Sequence, residues 1–309
     1  MTDRLLSLLK DAWSGDRQAI ASIYAESVQV YGILGQIQGR AQLTQFLQAC
    51  LEAFPDPQIS LHEAFADSTG HRLALRHHIV WQHLGTGFGR APTGQRGVLS
   101  LTSMLRVQDG QITEQVLGFS NFDLPHLLLV DWGMAVPEVR DPAPELVGAV
   151  PGDPSINPAD RTLAERFARA FGARDLVTLE TFYDPEVELY TPLGWPLRGW
   201  NAVRTFVEQF HIANPGLRVG LHDSFASADG QKISWRIRLH FHNTGTFYGN
   251  LPTGDRGEMM ESHFITLKEG KIYRQIVGDG GLQLPKGELV DWKMTFPRQV
   301  TDPDPAIPL

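Results

Sequence analysis

The chain carries one thirteen-residue segment twice. GTGFGRAPTGQRG spans Gly85–Gly97 and GTFYGNLPTGDRG spans Gly245–Gly257, identical at eight positions with an offset of 160. The same offset relates Leu61-His62 to Leu221-His222, Gly39 to Gly199, Phe46 to Phe206 and Asp131-Trp132 to Asp291-Trp292. Upstream of about Trp195 the offset is 159, which aligns Tyr24 and Tyr31 with Tyr183 and Tyr190 and leaves one extra residue in the second copy. A period of this length means one folding unit built twice. Each copy must therefore close its own core within roughly 135 residues, inside the usual range of a globular domain.

The expected division is a first repeat at 1–136, a Pro-rich linker at 137–158, a second repeat at 159–296 and a tail at 297–309. The linker, PEVRDPAPELVGAVPGDPSINP, holds six prolines and no sustained apolar period, as an extended connector does. A formal net charge of −8 without any Lys/Arg run lacks the basic footprint of a nucleic-acid binder. No apolar run reaches the ~18 residues of a membrane span, and MTDRLLSLLKDAW reads as an amphipathic helix start, so a cytoplasmic chain is expected. The single cysteine, Cys50, excludes an intrachain disulfide and a Cys-based zinc cage. It falls in the helical apolar series Leu43, Phe46, Leu47, Cys50, Leu51, Phe54 and reads as a core residue rather than a nucleophile.

Periodicity in the first repeat predicts helices over Asp3–Trp13, Arg17–Tyr24 and Arg40–Ala53, the last stopped by Phe54-Pro55-Asp56-Pro57. A strand-like VQVYGIL precedes the third helix. After it the period becomes two, predicting antiparallel strands over Ile59–Ala66, Arg72–Leu84, Val98–Val107 and Gln111–Phe119. The second repeat gives the same order, with helices near Ala159–Phe171, Asp175–Phe182 and Trp200–His211. Helices followed by strands make an α+β fold.

Alignment of the long strand in both copies sorts its two faces, because successive side chains alternate. Leu75, His77, Ile79, Trp81 and His83 match Trp235, Ile237, Leu239, Phe241 and Asn243, the apolar set expected to face the helices. Arg76, His78, Val80 and Gln82 match Arg236, Arg238, His240 and His242, expected on the opposite face.

FPDPQISLHEAFAD, GTGFGRAPTG and LRVQDGQITEQ in the first copy, with LRVGLHDSFASADG, GTFYGNLPTG and ITLKEGKIYRQ in the second, resemble the SnoaL-like polyketide cyclase family. The resemblance implies a nuclear-transport-factor-2-like fold in each repeat. That fold is a cone-shaped α+β barrel, three helices against a curved antiparallel sheet, and the two copies would pack as a pseudo-dimer. It also implies cyclase or ester-cyclase-type chemistry on a hydrophobic carbonyl compound, by side-chain acid and base groups with no metal or organic cofactor. A buried carboxylate beside a histidine suits proton abstraction alpha to a carbonyl, since burial raises a carboxylate's basicity.

The family's catalytic Asp lies four residues beyond a Trp on the last strand. The matching positions here are Ser120 and Gly280, with Val116 and Ile276 in place of the Trp. Asp279 lies one residue away and reaches the pocket only if the strand bulges or ends there, which Gly278, Gly280 and Gly281 permit. A second family position, acidic or His, is Ser103 in one copy and His263 in the other. Glu261 and His263, two apart and hence on one strand face, join Asp279 as the candidate catalytic set. The competing reading puts Glu261 and His263 on the outer face as an interdomain salt bridge.

Candidate ligand contacts are His77, Trp81 and His83 in the first repeat and Tyr190, Trp195, Trp235 and Asn243 in the second. His77 and His83 stand about 20 Å apart along a strand, too far to share a metal ion. Ordinary core packing is the alternative for each of them. The partners expected are a hydrophobic small molecule and the chain's own second repeat through the Arg76/His78 and Arg236/Arg238 faces, with no nucleic acid or membrane. Three functional readings stay open: a cyclase, isomerase or hydrolase active in the second repeat, a non-catalytic small-molecule binder, and a structural pseudo-dimer with degenerate pockets. A homo-oligomer beyond the pseudo-dimer also stays open.

Overall fold

The computed structural model describes residues 2–32, 35–86, 91–94, 96–121, 158–191, 196–249, 251–252, 254 and 256–283. The linker before Pro158, the tail, the expected boundaries at 136 and 296 and both Asp-Trp pairs lie outside the described residues.

Each repeat opens with two helices, α1 (Thr2–Trp13) and α2 (Arg17–Ile23) in the first, α4 (Pro158–Gly172) and α5 (Leu176–Phe182) in the second. Asp16 caps α2 by accepting from the Gln18 and Ala19 amides, and Asp175 caps α5 by accepting from Thr178. These carboxylates satisfy donors that a helix start cannot pair internally. No loop follows either short helix. Tyr24 and Tyr183 turn extended at once and begin β1 (Tyr24–Gly32) and β7 (Tyr183–Tyr190).

Short strands β2 (Gly35–Gln38) and β8 (Pro196–Arg198) fold back on β1 and β7. Periodicity did not reveal them, because three or four residues are too few to show a period. The third helices, α3 (Arg40–Ala53) and α6 (Trp200–Ala213), precede four antiparallel strands in each copy. These are β3 (Gln58–Ala66), β4 (Arg72–Gln82), β5 (Arg96–Gln108) and β6 (Gln111–Asn121), then β9 (Arg218–Ala226), β10 (Lys232–His242), β11 (Arg256–Lys268) and β12 (Lys271–Gln283).

The strand order β3-β4-β5-β6-β12-β11-β10-β9 is symmetric about the meeting of β6 and β12, which touch in register at Phe119 and Asp279. β1 and β7 run parallel to β6 and β12. Each repeat is thus the expected α+β cone, six mixed strands against three helices. The sheets stay open, and no closed barrel forms among the described residues.

Two cores lie inside the cones. Ile20, Ile23, Leu43, Leu75, Leu105 and Ile112 fill the first, and Phe167, Leu179, Val203, Trp235, Ile237 and Leu239 fill the second. The inner-face assignment along β4 and β10 holds in both. Cys50 on α3 is half-buried, and burial pushes its thiol up to about 12, which keeps it in the unreactive thiol form.

A third apolar cluster lies between the repeats, where Phe65, Met104 and Val116 of the first meet Phe225, Phe264 and Ile276 of the second. Polar contacts surround it. Thr102 and Ser262, equivalent residues, hydrogen-bond to each other at 2.8 Å. Arg72 pairs with Asp223 and, at the symmetry-related point, Lys232 pairs with Glu63. Arg106 adds a second bond to Asp223 at 3.0 Å, and Arg236 meets Glu114 at 3.4 Å. The outer faces therefore pack on each other as expected, with Arg76 and His78 buried and Arg236 crossing to the first repeat.

The repeated loop has a local cause. The amides of Gly85 and Gly245 bond the carbonyls of Ala53 and Ala213 at the ends of α3 and α6. A Cβ on Gly85 would lie 1.7 Å from the Glu52 carbonyl oxygen, and one on Gly245 would lie 1.9 Å from that of Ile212. Only glycine permits that approach. Gly94 and Gly254, at φ 71° and 78°, close the PTG turn onto the carbonyls of His83 and Asn243.

Two predictions follow from these contacts. Gly245→Ala should cost about 3 kcal/mol or more through its clash with helix backbone. Gly254→Ala, whose Cβ meets nothing within 4 Å, should cost only the positive-φ penalty of about 1 kcal/mol. Urea unfolding of the two variants compares them, and equal losses would contradict the contact.

The second concerns His77, which stands edge-on to Trp13 at 5.6 Å. Burial, then the neighbouring His78 and His62, pushes its imidazole from 6.5 down to about 4. Between those values the unfolded chain binds the proton and the folded chain does not. Stability should therefore fall as pH drops from 6.5 to about 4, by about 3 kcal/mol from this group. His77→Ile, matching Ile237, should remove that part of the slope in urea titrations across this range. An unchanged slope would show that His77 does not stay neutral in the core.

Candidate active site

Inside the second cone, β7, β11 and β12 bring four polar side chains into one chain of contacts. Tyr183 opens β7 with its hydroxyl aimed at the sheet and donates to Gln275 Oε1 on β12 at 2.7 Å. The amide of Gln275 then donates from Nε2 to Nδ1 of His263 on β11, also at 2.7 Å. Nδ1 is thereby the acceptor, so the neutral ring carries its proton on Nε2, an assignment made from the partners. Nε2 lies 3.3 Å from Oε2 of Glu261. That distance is within ion-pair range, but the contact is not a hydrogen bond, and Nε2 has no hydrogen-bond partner.

The walls around this set are apolar. Trp235 on β10, the register partner of His263, lies 5.7 Å from its ring, and Phe167 on α4 lies 6.1 Å away edge-on. Trp200 stacks on Tyr183 at 5.4 Å. His263 and Glu261 have side-chain exposures of 3% and 13%. The pair thus faces the cone interior and not the contact between repeats. Burial, followed by the charge of Glu261, pushes the Tyr183 phenol well above its ordinary range, against the opposing effect of the Gln275 bond. Tyr183 stays a protonated donor.

Asp279 pairs with Glu261 across β11 and β12, and a register irregularity falls at Met260/Glu261, opposite Gly280. The side chain of Asp279 lies outside the described residues. Gly278 has a different role from the bulge expected of it. A Cβ there would lie 2.1 Å from Thr102 Oγ1, so this glycine admits the other repeat.

The first cone carries the same frame with different ends. Tyr24 donates to Gln115 at 2.7 Å, as Tyr183 does to Gln275. Gln115 then reaches Ser103 Oγ at 3.4 Å where the second repeat has His263, and Leu101 occupies the position of Glu261. Trp13 donates to Tyr24 at 3.0 Å and completes that network. Its equivalent is Gly172.

The candidate ligand contacts divide by location. His77 and Trp81 are buried on the inner face of β4, and Trp81 packs edge-on against Phe54 at 5.3 Å. His83 accepts from the Thr93 amide at 3.2 Å and so holds the PTG turn. Burial pushes its imidazole below the ordinary value. Asn243 donates to the Ala213 carbonyl at 3.2 Å, tying the same turn to α6. Tyr190 packs in the apolar cluster between the repeats, under Arg274 at 5.2 Å, and not in the cone. Trp195 lies outside the described residues. Tyr183 and Gln275, which join the contact chain to His263, are not among the candidates read from the sequence, although both recur between the copies, at offsets of 159 and 160.

Among the described residues no three His, Cys, Asp or Glu side chains form a metal-binding group, and no helix is long and apolar enough to cross a membrane. No curated protein matches the chain. Several solved structures do. One is a candidate SnoaL-like polyketide cyclase from Jannaschia sp. CCS1, at 18% identity over 41% of this chain and 91% of that one, with a TM-score of 0.36. Another is IdmH, described as a candidate polyketide cyclase from Streptomyces antibioticus, at 19% identity over 38% and 90%, with a TM-score of 0.33. A third is AclR, described as a candidate hydroxylase from Streptomyces galilaeus, at 19% identity over 38% and 73%, with a TM-score of 0.33. The family model of the SnoaL-like domain matches residues 7–115 and again residues 164–275. These two stretches make up well over half of the sequence, and the chain therefore belongs to the SnoaL-like domain family, with two copies in tandem.

Proposed function

We propose that the second repeat is an acid/base centre of the cyclase or isomerase type, acting on an apolar carbonyl compound. The observation that carries this reading is the Glu261–His263 pair, 3.3 Å apart on the apolar inner wall of the cone. Family membership makes a polyketide cyclase or ester cyclase the favoured class. Glu261 serves as the base and takes a proton alpha to the substrate carbonyl, and the C–H electron pair moves into the enolate. Protonated Glu261 returns its proton to the alkoxide formed when the enolate carbon attacks a second carbonyl, while the Nε2–H of His263 donates a hydrogen bond to the developing oxyanion. Glu261 is then a carboxylate again, and the cycle closes with no net change. Gln275 and Tyr183 orient the imidazole from behind, as an outer partner orients a catalytic base. Asp279, in register with Glu261, is the third member of the proposed set.

The first repeat has Leu101 and Ser103 at the equivalent positions and so lacks both base and imidazole. Its proposed role is binding or support of its neighbour.

Deuterium exchange at the alpha protons of aryl methyl ketones and β-keto esters in D2O tests the reading. Wild type should exceed buffer, and Glu261→Gln should lose about a hundredfold or more of that rate, the usual worth of a positioned general base. Leu101→Val in the first repeat should leave it unchanged. Exchange no faster than buffer, or equal in Glu261→Gln and wild type, would overturn the assignment.

A further inference from the structure

The indole of Trp235 is fully buried, and its Nε1–H has no hydrogen-bond partner. Tryptophan Nε1 can only donate, so no change of tautomer or side-chain flip relieves it. A buried donor left without an acceptor is costly, and proteins seldom leave one so. In the other cone Trp81 Nε1 is likewise without a partner, but a second indole there is paired. That indole comes from α1, and Trp13 donates to Tyr24 Oη at 3.0 Å, closing the Trp-Tyr-Gln-Ser network. In the second cone the helix position is Gly172, the indole is supplied instead by β10, and leucine stands at the matching position of β4, Leu75. This indole makes no bond to the tyrosine, whose hydroxyl donates to Gln275.

The second cone thus holds two unpaired buried donors on neighbouring rings. One is the Nε2–H of His263 beside the Glu261 carboxylate, and the other is the Nε1–H of Trp235, whose ring lies 5.7 Å from that imidazole. We infer that Trp235 Nε1 donates to the carbonyl oxygen of the substrate. This rests on the acid/base reading of the same site and adds the group that holds the oxygen while Glu261 takes the alpha proton. As the C–H electron pair moves into the enolate, negative charge grows on that oxygen. A donor already desolvated and fixed there stabilises it without reorganisation. The substrate class narrows accordingly. The oxygen that Trp235 holds belongs to a ketone, thioester or ester, set in a planar apolar body that lies against the Phe167 and Trp235 rings.

The test is a 1H–15N spectrum of the indole N–H groups of the full chain, titrated with 2-acetylnaphthalene and with the enolate mimic 2-naphthol. The Trp235 resonance is identified by its absence in Trp235→Phe, or in wild type by its cross-relaxation with the His263 ring. It should move downfield with both probes, and more with 2-naphthol, while Trp13 stays in place. Trp235→Phe keeps a ring in the core and should lower the alpha-proton exchange rate by about tenfold to a hundredfold, mainly in kcat. A Trp235 resonance unmoved by both probes overturns the inference, as does a Trp235→Phe variant that exchanges at the wild-type rate. The reading beneath it fails separately. If the indole shifts but wild type never exceeds buffer, the oxygen site stands and the catalytic proposal falls.

Discussion

The close approach of the two sheets at Gly118 and Gly278 sets the geometry of everything around it. A Cβ on Gly118 would lie 2.2 Å from Ser262 Oγ and 2.6 Å from Thr102 Oγ1, and one on Gly278 would lie 2.8 Å from the carbonyl carbon of Gly118. Glycine at both equivalent positions lets the backbones meet. The Thr102 and Ser262 hydroxyls then lie within bonding distance of each other and of the Gly118 and Gly278 carbonyls, so one hydroxyl donates to the other and the second to a carbonyl. These hydroxyls therefore find partners within the contact itself. With the centre fixed, Phe65 reaches Phe225 and Phe264, and the buried Arg72–Asp223 pair falls into place at the margin. An isolated buried ion pair adds little net stability, yet losing one partner costs several kcal/mol, so such pairs mainly enforce one arrangement.

That fixed contact leaves the interiors of the cones free to differ. Both keep a tyrosine at the start of β1 or β7 bonded to a glutamine on β6 or β12. The bond ties the parallel strand to the sheet from inside, which is a structural reason for both repeats to hold it. What lies beyond the glutamine is not required for folding. Ser103 and Leu101 leave that stretch of the first wall without an ionisable group, whereas His263 and Glu261 add an ionisable pair to the second. A carboxylate there demands desolvation that leucine does not, a cost that proteins accept chiefly where chemistry needs the group.

Much of this was legible in the sequence because period and repeat act together. Alternation along β4 and β10, read in both copies at once, placed Trp235, Ile237 and Leu239 inside, and Arg76 and Arg236 outside, where the structure has them. The spacing of Glu261 and His263 gave one face but not which one. Their face follows from the register of His263 with Trp235, a long-range fact that a single strand does not carry. Tyr190 was misplaced by attention to residue type over parity. Val187 and Leu189 point into the core, so the next residue, Tyr190, points away from it. Tyr183 and Gln275 escaped because each alone resembles an ordinary core tyrosine and an ordinary strand glutamine. Only the fold brings them within 2.7 Å.

The ion pairs between the repeats are not all mirrored. Arg236 meets Glu114, but the residue equivalent to Glu114 is Arg274, and that equivalent to Arg236 is Arg76. Two second repeats facing each other would set Arg274 against Arg236, cation against cation. Two unlike repeats joined in one chain avoid this, since each half meets the other and not a copy of itself. The halves are in that sense no longer interchangeable, and a gene that lost its first repeat would leave the second with a face that repels its own twin.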